Sequence, residues 1–184
     1  MPQCAPWVDN PLGRYLVVTS GTRPTGAARP TGQVIYETDT GRWLFWTGSD
    51  WAALSSSTVG YAQIVANQTG ITTITDITSL TVTFTAVAGR RYRITGSAFL
   101  LTTVAGDLAS LNITDGAGTQ LNSSQVDLRS SSTDIRGHVF AVVVPGAGSK
   151  TYKLRASRVS GTGSISVDAG ATYPAFILVE DIGV

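Results

Sequence analysis

Polar and apolar residues alternate along most of this chain with a period of two. Leu80 to Val87 places Val82, Phe84 and Ala86 on one face and Thr81, Thr83 and Thr85 on the other. Arg91 to Leu100 sets Tyr92, Ile94, Ala98 and Leu100 inward against Arg91, Arg93, Thr95 and Ser97. Tyr152, Leu154 and Ala156 oppose Lys153, Arg155 and Ser157 in the same way. Successive side chains of an extended strand point to opposite faces, so this pattern predicts half-buried strands. No long segment shows apolar residues at helical spacing behind a cap. Strands are predicted over 61–67, 79–87, 91–102, 108–114, 119–128, 134–144, 149–159, 163–168 and 174–181. Gly-rich turns such as Asp115-Gly-Ala-Gly118 and Pro145-Gly-Ala-Gly148 separate them. Short strands at such spacing predict an antiparallel sandwich or barrel over residues 58–184.

Two strands break the alternation. Val139 to Val144 and Ala175 to Val179 are apolar on both faces. A two-sheet sandwich buries one face of each sheet, so the second face needs another cover. A symmetric partner subunit supplies one economically; a loop or the N-terminal segment is the alternative. The residues assigned to a subunit interface are Phe140, Val142, Val144, Phe176 and Leu178.

Residues 1–57 have a different grammar. All four tryptophans lie here, three of them in Gln33 to Trp51. Gln33–Thr38 and Arg42–Thr47 read as strands joined by a turn at Asp39-Thr40-Gly41. Before them Thr22-Arg-Pro-Thr-Gly26 recurs as Ala28-Arg-Pro-Thr-Gly32. Pro fixes φ and Gly relaxes it, so this repeat reads as an extended or turn-rich lead. Ser55–Thr58 reads as a hinge. A lone hairpin is marginal, and Tyr36, Trp43, Phe45, Trp46 and Trp51 need a surface to lie on. That surface is the head itself, a sugar, or another protein anchored by tryptophan.

Composition narrows the chemistry. Charge is sparse and the net is +1, which gives no bulk attraction to nucleic acid or an anionic membrane. The N-terminus lacks the basic and apolar regions of a signal peptide, and no apolar run approaches membrane-spanning length. Cys4 is the only cysteine and His138 the only histidine, so an internal disulfide and an imidazole metal cluster are excluded by count. His138 enters an apolar strand and reads as structural. Asp107, Asp115, Asp127, Asp134 and Asp168 fall near turns, where Asp bonds its own backbone. No spacing singles out an acid pair such as Asp127 and Asp134 for glycoside hydrolysis. Arg90, Arg91 and Arg93, and Lys150, Lys153, Arg155 and Arg158, form two basic clusters. They read as solvated strand faces or as a polyanion contact. The expectation is a protein with no catalytic residues, metal or cofactor.

The run Gly32 to Trp51, with Tyr36-Glu-Thr-Asp-Thr-Gly-Arg42 and Trp46-Thr-Gly-Ser-Asp-Trp51, resembles a short β module of structural proteins from tailed bacteriophages, especially those of actinobacteria. The body resembles their companion domain through Phe84 to Arg93, Pro145 to Lys153 and Phe176 to Gly183. The resemblance implies a minor tail, fibre or capsid-surface protein, made in the bacterial cytoplasm and assembled into the virion. It also implies a jelly roll of the complement C1q/tumour-necrosis-factor type that packs as a trimer. On this reading residues 1–57 attach to another virion protein through the five aromatics named above, and residues 58–184 form the knob. A host surface glycan is the alternative partner. The chain departs from long tail fibres in having no shaft or coiled coil.

Overall fold

The computed structural model describes residues 7–10, 13–24, 30–39, 41–54 and 57–183. Cys4 and part of the second Arg-Pro repeat lie outside them, as do Ser55 and Ser56 of the expected hinge. The chain divides into two compact units, residues 1–56 with 183–184, and residues 57–182.

The body is an all-β sandwich of jelly-roll type. Its first sheet contains β6 (Ser57–Ile64), β7 (Gln68–Ile71), β9 (Arg91–Thr102), β12 (Ile135–Val143), β14 (Ile165–Asp168) and β15 (Ala175–Gly183). Its second contains β8 (Thr75–Ala86), β10 (Asp107–Asp115), β11 (Gln120–Leu128) and β13 (Gly148–Ser160), in the order β11-β10-β13-β8. Phe99 and Leu100 of β9 pair with both β12 and β14, so those strands flank β9 on opposite sides. β15 also neighbours β9, and β6 and β7 pair with β15 and β14. The chain passes from β8 to β9 to β10 by changing sheets, and does so again from β11 to β12 to β13. This is the wrapping of a jelly roll.

The predicted alternation sets the core. Val82, Phe84 and Ala86 are buried from the second sheet, and Tyr92, Ile94, Ala98 and Leu100 from the first. β8 begins earlier than its alternation predicts because Ser79 takes φ 64. The irregularity changes the strand's phase, so that Ile77 and Leu80 are both buried. Glycine lets the sheets approach. A Cβ on Gly96 of β9 would overlap the Leu154 side chain of β13, and one on Gly60 would overlap Val82.

One buried carboxylate closes the end of the sandwich where β13 turns into β14. Asp107 is 1% exposed. It accepts the Thr102 hydroxyl and the Thr162 and Gly163 amides, the last two at 2.9 and 3.3 Å. Any Cβ at Gly161 or Gly163 would strike that carboxylate. The Thr102 bond, with the two amides, holds the Asp107 carboxyl below its ordinary range despite desolvation.

The head is a five-stranded sheet in the order β1 (Trp7–Asn10), β2 (Gly13–Val18), β3 (Val34–Glu37), β4 (Arg42–Trp46), β5 (Trp51–Ala53). The expected hairpin is β3–β4. Upstream of the Arg-Pro repeat, where no strand was expected, β1 and β2 form a hairpin of their own, and β2 joins β3 in parallel. The aromatic and aliphatic run Tyr15-Leu16-Val17-Val18 explains this: Leu16 and Val18 bury beside Ile35 and Leu44.

Two outcomes follow. Gly96→Ala is expected to lower unfolding stability by about 1–3 kcal/mol, as overpacking does, measured by chemical denaturation. Asp107 has a depressed folded pKa, so its contribution is complete above the unfolded carboxylate value of about 3.9 and disappears as pH falls through the folded value. The melting temperature of the chain should therefore fall below about pH 4, and Asp107→Asn should flatten that fall while lowering the plateau at neutral pH.

Candidate interaction surfaces

The outer face of the first body sheet carries several large apolar side chains beside the Arg93–Glu180 pair. Val139 and Ala141 of β12 point into the core, which turns Phe140 and Val142 outward, with Val144 following in phase. These three are 62%, 51% and 60% exposed. Ala175, Ile177 and Val179 of β15 are likewise buried, so Phe176 and Leu178 share the outer face and are half-buried. Tyr61 of β6 lies opposite Leu178, is 51% exposed, and its ring lies 6.1 Å from that of Phe176. Tyr61 was not among the predicted interface residues. Its strand mixes Ser, Gly and Gln with apolar residues, so only the cross-strand register places it there.

His138 corrects a sequence expectation. It sits inside β12 rather than at its entry, points outward beside Phe140, and is exposed. Ser97, predicted to face outward, is opposite His138 but fully buried. Arg136 covers it, donating to its hydroxyl at 3.1 Å while lying 4.2 Å from the Phe99 ring centroid. The outer face is thus polar and covered at one end, with its exposed apolar side chains toward the other.

Most of the basic residues are engaged within the chain. Arg90 pairs with Asp181 at 2.5 Å and Arg93 with Glu180 at 2.8 Å. Lys153 and Arg155, on one side of β13, both meet Asp76 at 2.8 and 2.6 Å. The Lys153 bond is the main cause of the lowered Asp76 pKa. Arg158 donates to the Gly163 carbonyl. Of the two basic clusters, Arg91 and Lys150 have no ion pair among the described residues. The outer face of the second sheet is hydroxyl-rich, with Ser110 bonded to Ser157 at 2.8 Å and Asn112 to Ser110 at 2.9 Å.

The five head aromatics divide between two faces of their sheet. Trp46 and Trp51 are cross-strand partners on the core face, with ring centroids 5.5 Å apart. Trp46 is 9% exposed. Tyr36, Trp43 and Phe45 occupy the opposite face. There Trp43, 41% exposed, lies between Tyr36 at 5.0 Å and Tyr15 at 4.8 Å. Tyr15 belongs to a strand that sequence reasoning did not recognise. The Arg-Pro lead is also more than a linker. Arg23 forms a two-point ion pair with Glu37, whose carboxylate is fully buried, and Asp39 accepts the Ser20 amide at 2.9 Å.

Among the described residues no group of three or more His, Cys, Asp or Glu side chains is placed to hold a metal, and no helix is long and apolar enough to cross a membrane. No family model and no curated protein matches the chain. Several solved structures resemble it. One is the first family 36 carbohydrate-binding module of a multidomain xylanase from the hindgut metagenome of Trinervitermes trinervoides. It is 13% identical, with 71% of this chain and 100% of that one covered and a TM-score of 0.37. A family 36 module in complex with calcium and xylotriose is 14% identical, covering 65% and 98%, with a TM-score of 0.35. The VP2 subviral particle of infectious bursal disease virus is 14% identical, covering 72% of this chain and 39% of that one, with a TM-score of 0.33. These are likenesses of fold alone.

The Arg23–Glu37 pair yields a test of the head. Breaking a buried pair by removing one partner costs about 3–5 kcal/mol, and the partial exposure of Arg23 places this one at the lower end. Because every tryptophan lies between residues 7 and 51, tryptophan emission reports the head alone. Glu37→Ala is expected to lower the midpoint of that signal and leave the body's near-ultraviolet tyrosine transition in place.

Proposed function

We propose that this chain is a structural protein of a tailed-phage virion, in which the body self-associates and the head attaches the assembly to another virion protein. The observation that carries the reading is the open apolar face of Tyr61, Phe140, Val142, Val144, Phe176 and Leu178. Exposed large apolar groups gathered on one sheet mark an interaction surface. A second copy of the chain suits it. The flanking ions Arg93 and Glu180, and Arg90 and Asp181, already neutralise each other. Copies can therefore meet there without setting unpaired like charge against like charge. A threefold arrangement follows from the phage-protein resemblance, and a ring of heterologous contacts closes it.

Tyr36, Trp43 and Phe45, with Tyr15, offer the head's outer aromatic surface for attachment. Trp46 and Trp51 act behind it, as packing. The reading assigns no catalysis. Asp76 is tied to two cations and Asp107 to a hydroxyl and two amides, while Asp127 pairs with Arg129.

Light scattering after size exclusion checks the assembly. The intact chain is expected at three times its 19.2 kDa. Phe140→Asp is expected to give a folded monomer, since a charge is placed in the centre of an apolar contact. A monomeric parent chain overturns the assembly reading.

A further inference from the structure

A cavity of about 430 Å³ opens at the end of the body where the β10–β11 turn meets the β12–β13 connection. Asp115, Leu121, Val144, Pro145, Lys150 and Tyr152 line it. Nothing in the assembly reading uses its polar groups.

Tyr152 is the unusual member. It is 5% exposed, and its ring packs 6.0 Å from that of Phe84. Its ring is buried, while its hydroxyl oxygen reaches the open side of the cleft. The hydroxyl of Tyr92, in the same aromatic cluster, is instead turned inward and accepts the Val87 amide at 2.9 Å. Burial pushes the Tyr152 pKa up, with Asp115 adding to the effect, so the phenol stays a proton donor. Lys150 is a second donor. It has no ion pair among the described residues, whereas Lys153 and Arg155 on the same strand both pair with Asp76.

Asp115 supplies the complementary acceptor. Its Oδ1 takes the Thr119 amide at 2.8 Å, which is the first cause of its lowered pKa. A carboxylate has further lone pairs to offer. Lys150 and Asp115 oppose each other in charge, so a small anion meets Asp115 and a small cation meets Lys150. A neutral ligand that both donates and accepts satisfies all three groups. Leu121, Val144 and Pro145 add an apolar wall for a C–H face. The volume lies at the small end of the roughly 300–1,000 Å³ of ligand pockets, enough for one or two rings.

We propose that this cleft binds a pyranose residue of a neutral glycan, with Tyr152 and Lys150 donating to its oxygens and Asp115 accepting from a hydroxyl. The proposal does not rest on the assembly reading, because all its residues belong to one chain. Val144 also belongs to the open apolar face, so in an oligomer the cleft lies at the rim of the contact.

Amide-shift titration of the intact, isotope-labelled protein tests it. The probes are the methyl pyranosides of glucose, galactose and mannose, with sodium glucuronate as the anionic control. At least one neutral pyranoside is expected to bind with Kd on the order of 1 mM, shifting the amides of Gly116, Leu121 and Lys150. Tyr152→Phe keeps the ring and is expected to weaken that binding about fivefold, the value of one hydrogen bond. Lys150→Met should weaken it similarly without lowering the melting temperature. Four results overturn the proposal: no neutral pyranoside binding at about 50 mM, far above the expected Kd; binding of glucuronate alone; shifts confined to residues 15–53; or unchanged affinity in Tyr152→Phe. The first three leave the oligomeric mass untouched, so this proposal and the assembly reading fail separately.

Discussion

The body depends on how closely its two sheets approach. Gly96 lets Leu154 reach the first sheet, and Gly60 does the same for Val82. With the sheets seated, every second residue of β8, β9 and β13 is excluded from water, and burial at roughly 25 cal/mol per Å² drives the fold. The same contact fixes the phase of each strand. A one-residue slip would exchange the core and solvent sets. The outward orientation of Phe140, Val142, Phe176 and Leu178 is therefore a consequence of how Val139, Ala141, Ile177 and Val179 pack inside.

The two outer faces then diverge in character. On the second sheet, Ser110, Asn112 and Ser157 bond one another, and Lys153 and Arg155 lie along the strand toward Asp76. Those side chains find their partners within the chain. On the first sheet, Arg136 covers Ser97 at one end, and toward the other end Phe140, Val142, Phe176 and Leu178 share the face with the Arg93–Glu180 pair. A sandwich has no third layer for such a row, which is the physical ground for the proposed self-association. The two ends of the sandwich show the same contrast between closed and open. Asp107 binds one turn shut with three bonds, whereas Tyr152 and Lys150 present donors to the open cleft.

The head uses a different solution because it is small. A single sheet of short strands buries little, and Ile35, Leu16, Val18 and Leu44 make a compact cluster. The Arg23–Glu37 pair and the Ser20–Asp39 bonds tie the Arg-Pro lead to β3 and the turn after it. Charge-assisted bonds fix geometry that so small an apolar core could not fix alone.

Strand positions in the body were legible from period-two alternation, and β9 runs over the predicted residues 91–102. The hairpin of β3 and β4 was legible from its turn chemistry. So were the two strands apolar on both faces, because a run of branched and aromatic residues is visible without any partner. The sequence by itself determined that this is an all-β chain with a tryptophan-rich head, and that it lacks the residues for imidazole metal chemistry. Other features were decided by tertiary structure. The phase change at Ser79 depends on one backbone angle, and the parallel entry of β2 depends on which strand it meets. The placement of Tyr61 beside Phe176 depends on register between strands more than a hundred residues apart, for which local pattern carries no signal. The convergence of Asp115, Lys150 and Tyr152 on one cleft is of the same kind: residues of ordinary local meaning acquire a joint chemistry only when the ends of separate strands are folded together.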